Sequence, residues 1–226
     1  MKILSVILAR KGSKRIKGKN KVLINQKKMI EYTFLLSKKV GCFNNIILSS
    51  DDDEVIEIAK KYKILAPWKR PAKLSSDSAP SFKAVIHAYN WYKKYYSEVD
   101  GIFVLQPTSP FRSKTTIEKM IRLFKNNNKR STVCVSKCVE HPELMITLKN
   151  NKLRPYLPKK YFTLPSQKFK MLYRINGLGY LLSPRTLQKE KTLIPKNSLC
   201  YINNSRVENI DIDDQEDLNL ARKIKL

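Results

Sequence analysis

The chain has 226 residues, is 42% hydrophobic and carries a formal net charge of +26, from 45 Lys and Arg against 19 Asp and Glu. This length and hydrophobic content suit a large α/β domain with a real core and argue against global disorder. The charge attracts polyanions of every kind, but the basic residues are dispersed along the chain, which favours general surface charge over one dedicated nucleic-acid patch.

The cysteines and the amino-terminal residues indicate the cellular compartment of the protein. Neither the chain length nor the spacing of the four cysteines suggests a disulfide-stapled secreted domain. The apolar run between Lys2 and Arg10 is too short for a signal sequence or a membrane span. We therefore expect a cytoplasmic protein without membrane insertion.

Apolar runs alternate with amphipathic stretches along the chain, and this alternation indicates βαβ units. The predicted strands are residues 3–8, 45–50, 64–66, 101–105, 131–136, 179–182, 200–203 and 207–212. The predicted helices are residues 29–39, 54–62, 81–96, 116–126 and 215–224. We expect a mostly parallel sheet in a single domain over residues 1–226.

The alternation breaks down between residues 141 and 173. Prolines at positions 142, 155, 158 and 165 and the pair Asn150-Asn151 interrupt regular structure there. We expect a hairpin or a protruding arm in this region rather than further βαβ units.

The loop after the first predicted strand, residues 9–20, is the most informative part of the sequence. It has no acidic residue and six cationic side chains, which are Arg10, Lys11, Lys14, Arg15, Lys17 and Lys19. These charges repel one another unless an anion or solvent lies among them, and a loop that follows a strand can present cations and backbone N–H groups to a polyphosphate. Because five residues separate Gly12 from Gly18 and Asn20 follows Lys19, the loop matches neither GxxxxGK[ST] nor GxGxxG.

Polar residues follow two other predicted strands. Ligands of open parallel sheets bind beyond the carboxyl ends of the strands, so residues 68–81 and 106–112 are further candidates for a site. The sequence of residues 106–112, Gln-Pro-Thr-Ser-Pro-Phe-Arg, predicts a rigid wall rich in hydrogen-bonding groups. Its alternative interpretation is a turn followed by a helix N-cap.

Six motifs occur in the order that is typical of one family, and together they cover nearly the whole chain. They are A-R-x-G-S-K-R-I at 9–16 with Lys19-Asn20, L-S-S-D-D at 48–52, R-P-A at 70–72 with S-D-S-A at 76–79, residues 105–112, Asn176-Gly177, and I-D-I-D at 210–213. The chain thereby resembles the acylneuraminate cytidylyltransferases, also called CMP-sialic acid synthetases. No single motif is decisive, but their common order is.

The resemblance implies a fold and a reaction. The fold would be α/β, with a Rossmann-like, mostly parallel sheet, helices on both faces and a protruding dimerisation arm at 141–173, as in nucleotide-diphospho-sugar transferases. The reaction would join CTP and a nine-carbon 2-keto sugar acid into a CMP-sugar and pyrophosphate, with Mg²⁺ neutralising charge on the phosphates. Such chemistry depends on positioning and electrostatic stabilisation.

The resemblance also assigns residues. Arg10 and Lys19 would hold the phosphates, and Asn20 and Arg70 would contact the cytidine. The full nucleotide pocket would comprise Arg10, Gly12, Ser13, Lys19, Asn20, Arg70, Ala79 and Ser81. The sugar site would comprise Gln106, Thr108, Ser109, Gln167, Arg174 and Asn176. We expect Arg10, Lys19 and Asp211 to be the catalytic residues.

The acids near the carboxyl terminus predict a metal site. On a strand, side chains two residues apart point to the same face, so Asp211 and Asp213 would converge. Mg²⁺ prefers hard oxygen ligands, commonly one or two carboxylates completed by phosphates and water. We assign Asp211 and Asp213 to the metal, and Asp214 and Asp217 to the start of the last helix.

The chain departs from the family pattern in the arm. The arginine expected before the glutamine is replaced, since Ser166-Gln167 stand there, and no lysine follows His141-Pro142. Arg174 remains as a cation near Asn176. The anchor of the sugar carboxylate therefore differs, and sialate, legionaminate and pseudaminate stay open as the sugar. The family exchanges its arm with a second subunit, which predicts a homodimer.

Two alternative functions compete with this interpretation. A cytidylyltransferase for the eight-carbon acid 3-deoxy-manno-octulosonate shares the reaction, but its first loop typically lacks the Gly-Ser-Lys-Arg run. A basic nucleic-acid-binding protein would interleave aromatic and basic residues on one face. Here the aromatic residues at 89–96 have core-like helical spacing instead. We expect no specific nucleic-acid partner.

Overall fold

A computed structural model describes residues 1–157 and 165–224. Its strands are β1 (Ile3–Ala9), β2 (Leu23–Ile24), β3 (Lys27–Lys28), β4 (Asn45–Ser50), β5 (Gly101–Leu105), β6 (Thr132–Lys137), β7 (Ile146–Lys149), β8 (Lys152–Pro155), β9 (Tyr173–Leu182) and β10 (Leu199–Ile202). Its helices are α1 (Met29–Val40), α2 (Asp53–Lys61), α3 (Ser81–Tyr95), α4 (Lys114–Asn126), α5 (Pro184–Glu190) and α6 (Gln215–Lys223).

The central sheet has six strands in the order β10-β6-β9-β5-β1-β4. Strand β1 pairs in parallel with β4 and β5, and β10 pairs in parallel with β6. Strand β9 is antiparallel to both of its neighbours, β5 and β6. The sheet is therefore mostly parallel, as predicted, with one reversed strand between its two parallel parts.

Helices cover both faces of the sheet because alternate residues of each buried strand point to opposite sides. Ile3 and Ile7 of β1 join a cluster with residues of α1, α2 and α4. Leu4 and Val6 of the same strand join a second cluster with residues of α3 and α5. This confirms the three-layer α/β architecture. A third cluster, which includes Ile212, packs α6 against the loops at the carboxyl ends of the strands.

Most predicted elements are confirmed to within two residues, but three are not. The predicted strand at 179–182 is the end of a longer strand, β9, which begins at Tyr173. The expected strand at 64–66 is reduced to one bridge between Leu65 and Ile47, because the chain touches the edge of β4 only there. The expected strand at 207–212 is wrong. A turn closed by hydrogen bonds from Asn209 N to Ser205 O and from Ile210 N to Val207 O occupies residues 205–210.

The hairpin expected after residue 141 is present. Strands β7 and β8 pair antiparallel around Asn150 and Asn151, both of which adopt positive φ. The hairpin exposes large apolar side chains, including Leu148 at 69% and Leu153 at 59% of their surface. Part of the predicted arm, residues 158–164, lies outside the described residues.

The parallel strands end at one edge of the sheet. The loops that follow β1, β4 and β5 begin there at Arg10, Asp51 and Gln106. The reversed strand β9 starts at the same edge, so Gly177 comes close to Gln106. No helix among the described residues is long and apolar enough to cross a membrane.

Candidate active site

A cavity of about 570 Å³ lies at this edge of the sheet. The residues that line it and that the sequence predicts for a site are Arg10, Gly12, Ser13, Lys19, Asn20, Arg70, Ala79, Ser81, Gln106, Thr108, Asp211 and Asp213. The fold therefore brings Arg10 and Asp211 to one cavity from opposite ends of the sequence. We call the side formed by Arg10, Lys14, Lys19 and Asp77 the loop end. The side formed by Gln106, Thr108 and Asp211, with Ser109 and Gly177 buried behind them, is the wall end.

Other lining residues were not assigned from the sequence. They are Leu8, Lys14, Arg15, Leu74, Ser76, Asp77 and Pro107. Lys14 and Arg15 belong to the basic loop, and Asp77 belongs to the S-D-S-A motif, so the signal for these three residues was present. Leu8, Leu74 and Pro107 carry no polar signal, and only the fold identifies them as part of the wall of the cavity.

The basic loop is held in shape by its own polar and apolar contacts. Ile16 is buried in the cluster that includes α6, and the buried Asn20 donates from Nδ2 to Arg10 O at 2.9 Å. Gly18 adopts φ +64 before the short 3₁₀ helix Lys19–Lys21. Glycine favours this left-handed conformation because it has no Cβ. The fold of the loop thus turns its cations toward the cavity.

Two acids of this chain neutralise the cations at the loop. Asp77 pairs with Lys14 at 2.8 Å and with Arg10 at 2.5 Å. Hydrogen bonds from Lys14 and Arg10 lower the pKa of Asp77 below its ordinary value. Asp213 pairs with Lys19 at 2.9 Å and with Arg15 at 3.5 Å. These two carboxylates therefore offset part of the positive charge of the loop, and the remaining positive charge is available to an anionic ligand.

Arg70 lies at the base of the cavity and is fixed by β4. Its Nε donates to Ser49 Oγ at 2.9 Å, and its Nη2 donates to Ser49 O. Only 6% of the residue is exposed, and burial lowers the pKa of its guanidinium to about 10. Arg70 stays charged at neutral pH and presents its remaining N–H donors in fixed directions.

Asp211 and Asp213 differ in environment although both line the cavity. Ile212 between them is buried, and its N–H donates to Thr108 O at 2.8 Å, which fixes the segment against the loop after β5. Burial raises the pKa of Asp211. Burial alone would also raise the pKa of Asp213, but Lys19 and then Arg15 lower it below the ordinary value. The two carboxylates meet at the cavity without the strand that the sequence analysis expected.

These acids fit a divalent cation. Asp211 Oδ1 is buried and has no hydrogen-bond partner among the described residues, and an oxygen in this situation is one that a ligand or ion satisfies. Asp213 offers a second hard oxygen beside it in the same cavity. Two carboxylates completed by phosphates and water are the usual ligand set for Mg²⁺.

The wall end is built on Arg112 and Gly177. Arg112 is 3% exposed and donates from Nη2 to Gln106 O at 3.0 Å, which holds the wall from beneath. Gly177 has φ +72, and a Cβ there would lie 3.4 Å from Gln106 Oε1 and 3.6 Å from both Asp211 Oδ2 and Ser109 Oγ. Three predicted side chains thus converge beside a backbone position that favours glycine.

Four predicted sugar-site residues do not line the cavity. Ser109 is fully buried under the wall, next to Gly177. Gln167 and Arg174 are exposed, in a short 3₁₀ helix and in β9 respectively. Asn176 is also buried, and its amide donates from Nδ2 to Asn209 Oδ1 at 2.7 Å.

The fold and the cavity define a class of protein. A mostly parallel sheet carries a cationic loop, a pair of acids and a wall of neutral polar groups at its carboxyl edge. Cations and acids together suit a polyphosphate with its divalent ion, and the neutral wall suits a hydroxylated acceptor. This is the arrangement of a nucleotidyltransferase.

Comparison with known proteins gives the family. The family model described as "Cytidylyltransferase" matches residues 4–216, so the chain belongs to this family and is a nucleotidyltransferase. It is 30% identical over 226 residues to "CMP-N,N'-diacetyllegionaminic acid synthase" of Legionella pneumophila, covering 99% of this chain and 96% of the relative. It is 31% identical over 224 residues to "Pseudaminic acid cytidylyltransferase" of Campylobacter jejuni, covering 98% and 95%.

A third relative is longer than this chain. "N-acylneuraminate cytidylyltransferase" of Escherichia coli is 30% identical over 229 residues, which cover 99% of this chain and 52% of that protein. Among solved structures, "CMP:2-keto-3-deoxy-manno-octonic acid synthetase complexed with CTP" has a TM-score of 0.72 at 16% identity, covering 98% of this chain and 97% of the other. That likeness confirms the fold.

Proposed function

We propose that this protein transfers CMP from CTP to the anomeric hydroxyl of a nonulosonic acid and releases pyrophosphate. The observation that carries the proposal is the meeting of Arg10, Lys19, Asp211 and Asp213 in one cavity beside the Gln106 wall. The names of the relatives at about 30% identity support the choice of reaction and of acceptor class.

The loop end would bind the triphosphate. Arg10 would bridge two phosphoryl oxygens as a fork, and Lys19 would follow the charge that develops on the leaving pyrophosphate. Lys19 suits this role because its side chain is only 12% exposed. Its positive charge therefore interacts more strongly with a phosphate than it would in bulk water. Asn20 and Arg70 would contact the cytidine, and Gly12, Ser13, Ala79 and Ser81 would complete the nucleotide pocket.

Asp211 and Asp213 would hold Mg²⁺. When bound, the ion would neutralise charge on the phosphates and polarise the groups that it contacts. For Asp213 this requires an exchange of partners, since it now pairs with Lys19 and Arg15. Asp211 needs no such exchange, because its Oδ1 has no partner within the described part of the chain.

The wall end would bind the sugar acid. The amide of Gln106 and the hydroxyl of Thr108 offer neutral donors and acceptors to a hydroxylated ring. In the reaction, the anomeric oxygen bonds to the α-phosphorus while the bond from that phosphorus to the bridging oxygen breaks. Pyrophosphate leaves with the electron pair, and the hydroxyl proton passes to water.

We propose that the protein acts as a homodimer through its arm. The hairpin β7–β8 and the segments beside it expose large apolar side chains, and a second copy of the chain would cover them. They include Val139, Leu144, Leu148, Leu153, Tyr156 and Met171. Gln167 lies on this arm and could then face the partner's cavity. Light scattering after size-exclusion chromatography tests this, and a monomer at micromolar concentration would contradict it.

We place the reaction in the cytoplasm. The four cysteines are free thiols, and Cys42 and Cys200 are exposed, which suits a reducing compartment. Fractionation of expressing cells, with the protein detected by an antibody, would test this. Recovery in an extracellular fraction would contradict it.

A pyrophosphate-release assay tests the proposed reaction. The purified chain is incubated with CTP, Mg²⁺ and a panel of sialate, legionaminate, pseudaminate and 3-deoxy-manno-octulosonate. We expect release with one of the three nine-carbon acids and its absence when CTP is replaced by ATP. Preference for the eight-carbon acid would favour the alternative acceptor, and release with none of the four would overturn the proposal.

A further inference from the structure

The segment that carries the two acids is held by a network of buried amides. After β10 the chain forms the turn at 205–210 and then runs past the cavity through Asp211 and Asp213. The turn has no regular strand pairing to fix it. Its position relative to the cavity therefore depends on hydrogen bonds from side chains, in addition to the burial of Ile212 and the backbone bond from Ile212 N to Thr108 O.

Asn209 is the centre of this network. Its Nδ2 lies 2.8 Å from Ser205 O, 3.1 Å from Asn203 O and 3.3 Å from Asn203 Oδ1, while its Oδ1 accepts from Asn176 Nδ2 at 2.7 Å. A single amide thus joins both ends of the turn to strand β9. Asn209 does not line the cavity, so its contacts serve the protein rather than a ligand.

The bond between Asn176 and Asn209 connects two parts of the wall end. Asn176 precedes Gly177, the position that borders Gln106 and Asp211. Asn209 stands two residues before Asp211. The 2.7 Å bond therefore fixes the distance between the backbone of β9 and the segment that carries the acids. Asn176 is 4% exposed and Asn209 is half-buried, so the bond is largely shielded from water.

Glu208 ties the same turn to the start of α4. Its Oε2 accepts from Thr116 Oγ1 at 2.7 Å, from Asn203 Nδ2 at 3.1 Å and from Ser113 N at 3.2 Å. Glu208 thus binds the start of α4, while its neighbour Asn209 binds strand β9. The turn is held from both sides, and the segment that follows it is left with little freedom.

We propose that Asn209 is a positioning residue that sets the affinity of Asp211 and Asp213 for the divalent ion. This inference rests on the proposed function, which gives those acids to Mg²⁺. The ion demands near-ideal octahedral geometry, so a small displacement of either carboxylate weakens binding. Groups that hydrogen-bond directly to metal ligands typically contribute about 10- to 100-fold to metal affinity. Asn209 acts on the acids through the backbone two residues away, so we expect the lower end of this range.

Binding of Mn²⁺ in the presence of CTP tests the inference without relying on turnover. Free Mn²⁺ is measured by its electron paramagnetic resonance signal as the protein is titrated at saturating CTP. We expect Asn209→Ala to weaken Mn²⁺ binding about tenfold or more, with CTP affinity in the absence of metal changed less than twofold. In turnover, the apparent KM for Mg²⁺ should rise by a similar factor.

Asn127→Ala is the matched control. Asn127 also donates from its amide to a backbone oxygen, Leu123 O at 2.8 Å, but at the exposed end of α4 away from the cavity. We expect this variant to bind Mn²⁺ like the wild type. If Asn209 had only a structural role, its variant would lower the melting temperature and leave Mn²⁺ affinity unchanged, and that result would overturn the inference.

Asn176→Ala is a second variant that tests the same bond if Asn209→Ala fails to fold. It removes the bond to Asn209 and the one that Asn176 Oδ1 accepts from Leu178 N, and it leaves the contacts of Asn209 within the turn. We expect a weaker effect on Mn²⁺ in the same direction. Where both single variants fold, the effect of the double variant should be smaller than the product of the two single effects. Unchanged Mn²⁺ affinity in Asn176→Ala would contradict the role of the bond.

The two proposals fail in different ways. If the wild type releases no pyrophosphate with any sugar acid but the Asn209 variant loses Mn²⁺ affinity, the proposed acceptor reaction is wrong and the positioning role stands. If the wild type is active and the variant binds Mn²⁺ equally well, the reaction stands and the positioning role is wrong.

Discussion

The loop end and the wall end of the cavity differ in how their polar groups are satisfied. At the loop end, Arg10 and Lys14 share Asp77 in partly exposed ion pairs. At the wall end, Asp211 Oδ1, Ser109 Oγ and two nitrogens of Arg112 are buried without a partner in the described residues. To bind a phosphate, a cation in an ion pair must first leave its carboxylate partner. A buried polar atom that has no hydrogen-bond partner gains one when a ligand or ion binds. The loop end is therefore adjustable and the wall end is preformed.

Lys19 offers the largest test of this comparison, since it is the least exposed of the paired cations at the loop end. We expect Lys19→Ala to reduce kcat by about 10²- to 10³-fold, as expected when one donor to a developing charge is removed from an enclosed site. Steady-state pyrophosphate release measures this, and circular dichroism checks folding. Lys17→Ala, a change of an exposed lysine that does not line the cavity, should retain the wild-type rate. Equal rates in both variants would contradict the phosphate role of the loop end.

Gln106→Ala tests whether the wall end serves the acceptor alone. Loss of one neutral hydrogen bond to the sugar should raise the KM for the sugar acid by about tenfold, which corresponds to about 1.4 kcal/mol. The KM for CTP should change less than twofold. Gln188→Ala, on the exposed side of α5, is the matched control. A larger effect on CTP than on the sugar acid would break the division between the two ends.

Gly177→Ala tests whether the backbone of the wall end is rigid. The left-handed φ of +72 strains any residue with a Cβ, and we expect the free energy of unfolding to fall by about 1–2 kcal/mol. Gly12→Ala is the comparison at the loop end, because a Cβ there meets nothing within 4 Å. Urea denaturation should show a lower midpoint for Gly177→Ala only. Equal midpoints for the two variants would mean that the backbone of β9 adjusts to the added Cβ without a loss of stability.

Asp77→Asn should have the smallest effect and tests adjustability at the loop end. Removing this carboxylate frees Arg10 and Lys14 for the triphosphate, so we expect the KM for CTP to fall about two- to threefold. Stability should change by less than about 0.5 kcal/mol, because exposed ion pairs contribute little. The difference in KM should shrink at high salt. A raised KM for CTP would show that Asp77 assists binding rather than competing with it.

Local patterns predicted the architecture well. The predicted strands at 45–50 and 101–105 are confirmed as β4 and β5 with the same bounds. Short apolar-rich runs that are bounded by turn residues are typical of buried strands. The start of α6 is also confirmed, with Asp214 as N-cap and Asp217 completing the capping box. Such signals are contained within a few residues, so no tertiary information is needed to interpret them.

The failed strand at 207–212 has a physical cause. The run has the apolar spacing of a strand, yet Asn203 bonds to both Glu208 and Asn209, and the chain folds into a turn. An alternation of apolar residues does not show that polar side chains five and six residues apart will bond to one another. The contact between Asn176 and Asn209 spans 33 positions, and no local pattern reveals it.

By itself, the sequence determined the class of fold, the charge of the first loop and the family motifs, because strand runs, caps and a cluster of cations are local properties of the chain. Only the tertiary structure decided that Asp77 pairs with Arg10 and Lys14, that Asp211 Oδ1 is buried without a partner among the described residues, and that Asn176 bonds to Asn209 inside the protein. These are properties of burial and distance, and they exist only once the carboxyl edge of the sheet brings separate loops together.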